Sequence, residues 1–161
     1  LIEKYYPEHQ DQLLSLLDLE DPRLAMDHLT TNQQTLCPSI FIARSLAKNG
    51  NNVYQYHFTR MREGSEKILS YHGAEIPYVF NTHDEWLPTN EDDAQLTEAM
   101  MEYWIEFAKK GTPNSINNPT WKEFGTEENY LILDLPLLNS SKLENEFCEI
   151  MINELVQRAN Y

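Results

Sequence analysis

The chain alternates between stretches in which apolar side chains recur every three or four residues and shorter stretches rich in β-branched and aromatic residues. The first pattern is typical of a helix that buries one face, and the second is typical of a strand. Long helices are predicted over residues 38–49, about 91–110 and 142–159, with shorter ones within residues 1–20 and about 23–35. Strands are predicted over residues 53–58 and 130–135. A helix followed by a short turn and a strand is typical of a crossover unit in a parallel sheet, so the order favours an α/β fold.

Turn-forming and capping residues mark where these helices begin and end. Pro38 stands at a first helical position, where its missing N–H costs little, and Asn49-Gly50 is a stop signal. Asn90 is a good N-cap, and the three acidic residues after it suit the first turn of a helix. The segment Ser141–Glu144 has the pattern of a capping box and predicts the start of the last helix.

The balance of charge excludes one class of partner. The 161 residues include 26 acidic residues against 12 Lys and Arg, which gives a formal net charge of -14. A surface this acidic repels polyanions, so we expect no nucleic-acid partner. The sequence contains no apolar run of the length that spans a bilayer, so no membrane span is predicted.

Two groups of residues raise the question of a metal or redox site. His83, Asp84 and Glu85 are adjacent, but a single His beside two acids lacks the spacing of a closed metal site, and a solvated loop is the preferred interpretation. Cys37 and Cys148 lie far apart and form no C-x-x-C pair, which argues against zinc and against a redox dithiol. Lone cysteines are most often small buried apolar residues. We therefore predict neither a metal nor a cofactor.

One histidine stands in a context that suits a catalytic base. His72 is followed by Gly73, then by Glu75 and an apolar run to Phe80. Because glycine tolerates backbone angles that other residues resist, a His-Gly pair can present an imidazole on a tight loop. The alternative is an ordinary hydrogen-bonded loop histidine.

This segment and a second one resemble a known family. His72, Gly73, Glu75, Ile76, Tyr78, Val79 and Phe80 match in order the catalytic-histidine segment of the type B carboxylesterases and cholinesterases, which are α/β-hydrolases. A later helix motif of that family is matched by Met100, Tyr103, Trp104, Phe107, Ala108, Gly111, Pro113, Asn114 and Trp121. Thr112 replaces the Asp that is usual in that motif, which affects a turn and not the chemistry. The resemblance extends from about Asp27 to Cys148.

The resemblance implies a fold and a place in it. It identifies an α/β chain that forms the C-terminal part of an α/β-hydrolase: the last parallel core strand, the catalytic-His loop and packing helices. Because the family's catalytic fold is much longer, residues 1–161 are expected to be the C-terminal segment of a single catalytic domain, with Leu1 as an internal position. An upstream segment of the same protein would complete the fold, and a lone chain is expected to be unfolded or to aggregate.

The resemblance also implies an activity and the residues that serve it. It points to a carboxylic ester hydrolase of the serine type, acting on a small ester, with His72 as the triad base and acid. Glu75 is expected to be a buried acid that steadies the histidine loop; the alternative is that it orients the imidazole directly. No G-x-S-x-G elbow is present, so the nucleophile and the triad acid would lie upstream, and this chain alone would be inactive.

Two further expectations depend on the family. In cholinesterases, cysteines at the places of Cys37 and Cys148 form an intrachain disulfide, which would put the protein in a secreted or periplasmic compartment; unbonded cysteines would allow a cytoplasmic one. Some members of the family are recognition or adhesion modules that keep the fold without the triad. A catalytically inactive module of that kind is therefore the alternative function.

Overall fold

The computed structural model describes residues 1–159. In chain order its elements are α1 (Ile2–Tyr5), a 3₁₀ turn (Pro7–His9), α2 (Gln10–Ser15), α3 (Pro22–Thr31), a π-helical turn (Asn32–Leu36), α4 (Cys37–Lys48), β1 (Gln55–Phe58), α5 (Ile76–Phe80), α6 (Glu91–Lys110), β2 (Asn129–Leu133), β3 (Leu138–Ser141) and α7 (Asn145–Ala159). Contacts divide the chain into two compact units. The first contains residues 1–49 and the segment from Leu143 onward, and the second contains residues 50–142.

The first unit is helical, and its apolar stripes meet in one core. The fully or nearly fully buried side chains include Leu13, Leu29, Ile40, Phe147 and Met151. Asp21 caps α3 by accepting hydrogen bonds from the backbone N–H groups of Arg23 and Leu24. The predicted helix over residues 38–49 is observed as α4, one residue earlier at each end.

A disulfide joins two helices of this unit. Cys37, the first residue of α4, is bonded to Cys148 in the first turn of α7, with the two Cα atoms 4.9 Å apart. Both residues are buried. The bond links positions separated by 111 residues, and the pairing implied by the family resemblance is confirmed.

The second unit is built on a three-stranded sheet in the order β1-β2-β3. β1 and β2 are parallel, with Gln55 opposite Tyr130 and Phe58 opposite Leu133. The long connection between them contains α5 and α6, and parallel pairing requires a crossover of this kind. The parallel strand that comes last in the described chain is therefore β2 and not β1, which corrects the expectation for residues 53–58.

The strand predicted over residues 53–58 is also shorter than expected. Its ladder begins at Gln55, because the carbonyl of Val53 accepts a hydrogen bond from the N–H of Phe124 in the loop before β2. The strand predicted over residues 130–135 is observed as β2, shifted toward its N-terminal side. Leu131 and Leu133 are fully buried there and form part of the core of this unit.

The predicted start of the last helix is wrong. Ser141 belongs to β3, where it pairs with Asn129, so it does not cap a helix. α7 begins at Asn145, and the carbonyl of Glu144 accepts the hydrogen bond from the N–H of Cys148. The Glu144 carboxylate instead lies 3.0 Å from Nε2 of His28. β3 itself was not predicted, because the sequence Leu-Asn-Ser-Ser lacks the residues that favour strands.

Helix α6 agrees with the prediction for residues 91–110 at both ends. Its buried face includes Leu96, Met100 and Tyr103. Gly111 ends it in the left-handed conformation, as a helix C-cap commonly does. Among the residues described, no helix has both the length and the apolar character needed to cross a bilayer.

Candidate active site

His72 is exposed and lies in a turn of the second unit, between β1 and α5. Gly73 next to it has φ = +85°, in the left-handed region where a larger residue would be strained. The tight His-Gly turn predicted from the sequence is therefore observed. Among the residues that the structure describes, His72 has no hydrogen-bond partner for its imidazole.

Hydrogen bonds hold this turn on both sides of His72. Before it, the Ser70 hydroxyl donates to the carbonyl of Phe58, the last residue of β1, at 3.0 Å. After it, the N–H of Ala74 donates to the carbonyl of Tyr71 at 2.9 Å. The N–H of Ile76 donates to the carbonyl of Gly73 at 3.1 Å, which leads directly into α5. The backbone around the imidazole is thus connected to a strand and to a helix.

Glu75 occupies the N-cap position of α5 and is half-buried. Its backbone carbonyl accepts hydrogen bonds from the N–H groups of Tyr78 and Val79, and these contacts hold the start of the helix. The carboxylate makes no capping hydrogen bond. Burial and the Glu75 charge together raise the pKa of Tyr56 on β1, so the carboxylate is close to that ring.

An apolar groove of about 460 Å³ runs beside α5 and α6. Tyr56 and Glu75 line it together with several large apolar side chains. Among these, Phe80 is 68% exposed, Ile76 51% and Ile105 45%. Large apolar side chains exposed next to one another are typical of a surface that another segment or molecule covers.

A buried carboxylate is hydrogen-bonded to α5, the helix that follows the turn. Asp93, in the first turn of α6, is fully buried and accepts a hydrogen bond from the Tyr78 hydroxyl at 2.7 Å and from Nε of Arg60 at 2.8 Å. Its other oxygen accepts from the N–H of Asn90, which completes the capping box of the helix. Burial opposes the charged form, but the hydrogen bonds from Arg60, Asn90 and Tyr78 outweigh it and lower the pKa of Asp93.

Sequence reasoning did not identify Asp93 as a buried residue. It predicted only that Asp93 is one of three acidic residues in the first turn of the helix; in the structure the other two, Glu91 and Asp92, are exposed. The available signal was the spacing: Asp93 stands three residues after Asn90, where an acid reaches back to the N-cap backbone. Its partners Tyr78 and Arg60 come from other elements, which only the fold brings together.

His83 is half-buried and part of the same region, whereas Asp84 and Glu85 beside it are exposed. Its Nε2 lies 2.8 Å from the Thr97 hydroxyl, and its ring meets the Tyr78 ring edge-on at 4.7 Å. No group of three possible metal-ligating side chains occurs within residues 1–159. Burial and the nearby Arg62 lower the pKa of His83.

Comparison with known proteins places this chain in a family. The sequence profile of the carboxylesterase family matches residues 2–151, which is most of the chain. The chain belongs to the carboxylesterase family.

Individual relatives agree with this membership. Carboxylesterase 1C of Mus musculus is 30% identical over 115 residues, which cover 68% of this chain and 21% of the relative. The medium-chain fatty acyl-CoA hydrolase precursor of Anas platyrhynchos is 29% identical over 116 residues, covering 69% and 21% respectively. Cocaine esterase of Homo sapiens is 41% identical over 66 residues, covering 40% and 12%.

The carboxylesterase match includes all the residues singled out above. His72, Glu75, Cys37 and Cys148 all lie within residues 2–151. The chain spans about a fifth of the length of the carboxylesterases that it matches. Its mixed α/β structure with a small sheet is consistent with part of an α/β-hydrolase.

Proposed function

We propose that residues 1–161 form the C-terminal segment of a single α/β-hydrolase catalytic domain, and that the complete protein hydrolyses carboxylic esters. Family membership over residues 2–151 supports the reaction class, and the fraction of each relative that is covered supports a segment of a larger domain. The sheet supports the same proposal. A parallel pair such as β1 and β2 is ordinarily part of a larger sheet that is covered on both faces.

We propose that His72 is the histidine of the catalytic triad. The observation that carries this proposal is the exposed position of His72 in a turn between a parallel strand and α5, where Gly73 allows the backbone to present the imidazole. In an α/β-hydrolase the histidine follows the nucleophile and the acid in chain order, so both partners would come from an upstream segment. An imidazole with no partner in the described chain is available to such groups.

The chemistry assigned to His72 has two steps. Its free ring nitrogen accepts the proton of a serine hydroxyl while that oxygen attacks the ester carbonyl. The same nitrogen then returns the proton to the leaving alcohol, and the acyl-enzyme is hydrolysed by water in the same way. A carboxylate on the other ring nitrogen would fix the tautomer. This chain by itself, which has no G-x-S-x-G elbow, is expected to be inactive.

The disulfide supports a proposal about location. Bonds such as Cys37–Cys148 form and persist in oxidising compartments. We therefore expect the protein to be secreted or periplasmic. Its substrate is expected to be a small ester, without a cofactor.

The test compares the complete protein with its His72→Ala variant in the hydrolysis of p-nitrophenyl acetate. Loss of the triad base should lower kcat by roughly 10⁴-fold, as removal of a triad member does in other serine hydrolases. Turnover by the parent protein should also fall in acid, because a protonated imidazole cannot accept the serine proton.

The matched control is His57→Ala, which changes an exposed histidine on β1 in the same unit. It should leave kcat within about threefold of the parent value, as surface substitutions usually have small effects. Near-normal turnover by His72→Ala would contradict the assigned role. A complete protein that folds and binds a protein partner but shows no turnover would instead identify a recognition module of the same family.

A further inference from the structure

The position of His72 depends on α5, which is too short to hold itself in place. α5 has five residues, and an isolated helix of that length is unstable in water. Its position must therefore come from tertiary contacts. Of its residues, Tyr78 is the buried one, at 1% exposure, whereas Ile76 and Phe80 are more than half exposed.

The Tyr78 side chain connects α5 to the first turn of α6. Its hydroxyl donates to Asp93 at 2.7 Å, and Asp93 stands in the first turn of α6, a helix of 20 residues. Asp93 is itself held by Arg60 at 2.8 Å and by the two hydrogen bonds of the capping box with Asn90, both 3.0 Å long. The Tyr78 ring also packs edge-on against Phe58 of β1, with centroids 5.2 Å apart.

A continuous series of backbone hydrogen bonds connects Tyr78 to the turn. The N–H of Tyr78 donates to the carbonyl of Glu75, and the N–H of Ile76 donates to that of Gly73. On the other side of His72, Ser70 is tied to the last residue of β1. The turn is thus fixed at two anchors, one two residues before the histidine and one six residues after it.

We infer that Tyr78 is a positioning residue for His72, and that its hydrogen bond to Asp93 and the hydrogen bond of Ser70 to β1 together set the location of the imidazole. This inference rests on the proposed function, because it concerns the geometry of the same base. Nucleophile and base must lie within hydrogen-bond distance, so a displacement of about 1 Å in the turn can cost roughly 10²-fold in rate. Tyr78 itself touches no reacting atom.

The direct test is Tyr78→Phe in the complete protein, with p-nitrophenyl acetate as substrate. The substitution removes one hydroxyl and keeps the ring that packs against Phe58 and His83. We expect kcat to fall roughly 10- to 100-fold while KM stays within about twofold, because the base is misplaced and the binding surface is not changed.

Tyr103→Phe is the matched control. Tyr103 is also fully buried in the second unit, and its hydroxyl donates to the carbonyl of Pro119 at 2.6 Å. It has no hydrogen bond to the segment from Ser70 to Phe80. Both variants should lower the thermal unfolding midpoint to a similar extent, but only Tyr78→Phe should lower kcat.

Ser70→Ala tests the anchor before His72, the hydrogen bond from Ser70 to Phe58. It replaces Tyr78→Phe as the deciding variant if Tyr78→Phe does not fold. It should also lower kcat with little change in KM, since it releases the turn from β1. If Tyr78→Phe folds and its kcat is unchanged, the inference is overturned. If Tyr78→Phe does not fold, an unchanged kcat in Ser70→Ala overturns it. So does an equal loss of kcat in Tyr78→Phe and Tyr103→Phe, which would indicate general destabilisation. If the parent shows no turnover, or if His72→Ala keeps full turnover, the proposed function fails and the inference fails with it.

Discussion

At the scale of single residues, Asp93 and His83 both have lowered pKa values, but different neighbouring groups cause the two shifts. Burial disfavours the charged form of both side chains. Asp93 remains charged because three hydrogen bonds stabilise its carboxylate. His83 instead lies near the positive charge of Arg62, and within residues 1–159 its ring is hydrogen-bonded to Thr97 alone. Tyr78, which lies between them, stays neutral and can donate, because burial and the Asp93 charge raise its pKa.

The contacts of His83 determine which ring nitrogen carries the hydrogen in its neutral form. The Thr97 hydroxyl donates to the backbone carbonyl of Asp93, so its oxygen accepts from Nε2–H of His83. Nδ1 is then the unprotonated nitrogen, and it is buried without a partner among the residues the structure describes. Protonation would place an N–H there with no acceptor and add a positive charge near Arg62, although Asp84 and Asp93 partly offset that charge.

His83 should therefore make the protein less stable in acid. The pKa of His83 is lower in the folded state than in the unfolded state, so the unfolded chain binds the extra proton first as the pH falls below about 6.5. Stability should fall from that pH until the folded state is protonated as well. In His83→Gln, which keeps an N–H donor but does not titrate, the unfolding midpoint should change less between pH 7 and pH 5. Parallel pH profiles for parent and variant would show that His83 makes no such contribution.

At the scale of secondary structure, α6 is the element whose local sequence agrees best with its tertiary role. Asn90 and Asp93 form a capping box, the acidic residues occupy the first turn, and Gly111 ends the helix in the left-handed conformation. The buried face of α6 supplies much of the core of the second unit. Its first turn also holds the carboxylate to which Tyr78 is bonded.

Removal of the N-cap should loosen the first turn of α6. Asn90→Ala should lower the free energy of unfolding by about 1 kcal/mol, because the N–H of Asp93 loses its acceptor. Hydrogen exchange of the peptide covering residues 90–96 should become faster. Asn90→Ser is the control, since a serine oxygen can also cap the helix, and it should exchange more slowly than Asn90→Ala. Equal exchange in Asn90→Ala and the parent would contradict the role of this cap.

At the scale of the whole molecule, the longest covalent constraint is the disulfide of the first unit. It joins α4 to α7 across 111 residues of sequence. A link across so many residues restricts the unfolded chain strongly. The helical unit that it closes contains both the beginning and the end of the described chain.

Opening the disulfide should destabilise the first unit. In chain-entropy terms, a loop of this length contributes about 4–5 kcal/mol. Cys37→Ala should therefore lower the midpoint of urea unfolding under non-reducing conditions, monitored by hydrogen exchange in α4 and α7. The double variant with Cys148→Ala should lose no more than the single one, because either change opens the same loop. An unchanged midpoint in the double variant would exclude this contribution.

The sequence alone determined the features that depend on neighbouring residues. The bounds of α6 followed from its apolar spacing and caps, and the left-handed Gly73 followed from the His-Gly pair. The disulfide and the family followed from motifs that this chain shares with longer proteins. Local periodicity and short motifs carry this information because side chains three or four residues apart meet on the same face of a helix.

The tertiary structure decided the features that depend on distant partners. β3 is a polar segment that becomes a strand because β2 offers it a hydrogen-bonding edge, and this pairing moves the start of α7 to Asn145. Asp93 has the same side chain as its exposed neighbour Asp92, yet it is buried because Tyr78 and Arg60 reach it from other elements. Glu75 likewise shares a groove with Tyr56 of β1, a residue that comes from another element. Which strand edge or buried donor a residue meets is set by the packing of elements far apart in sequence, and no local pattern encodes it.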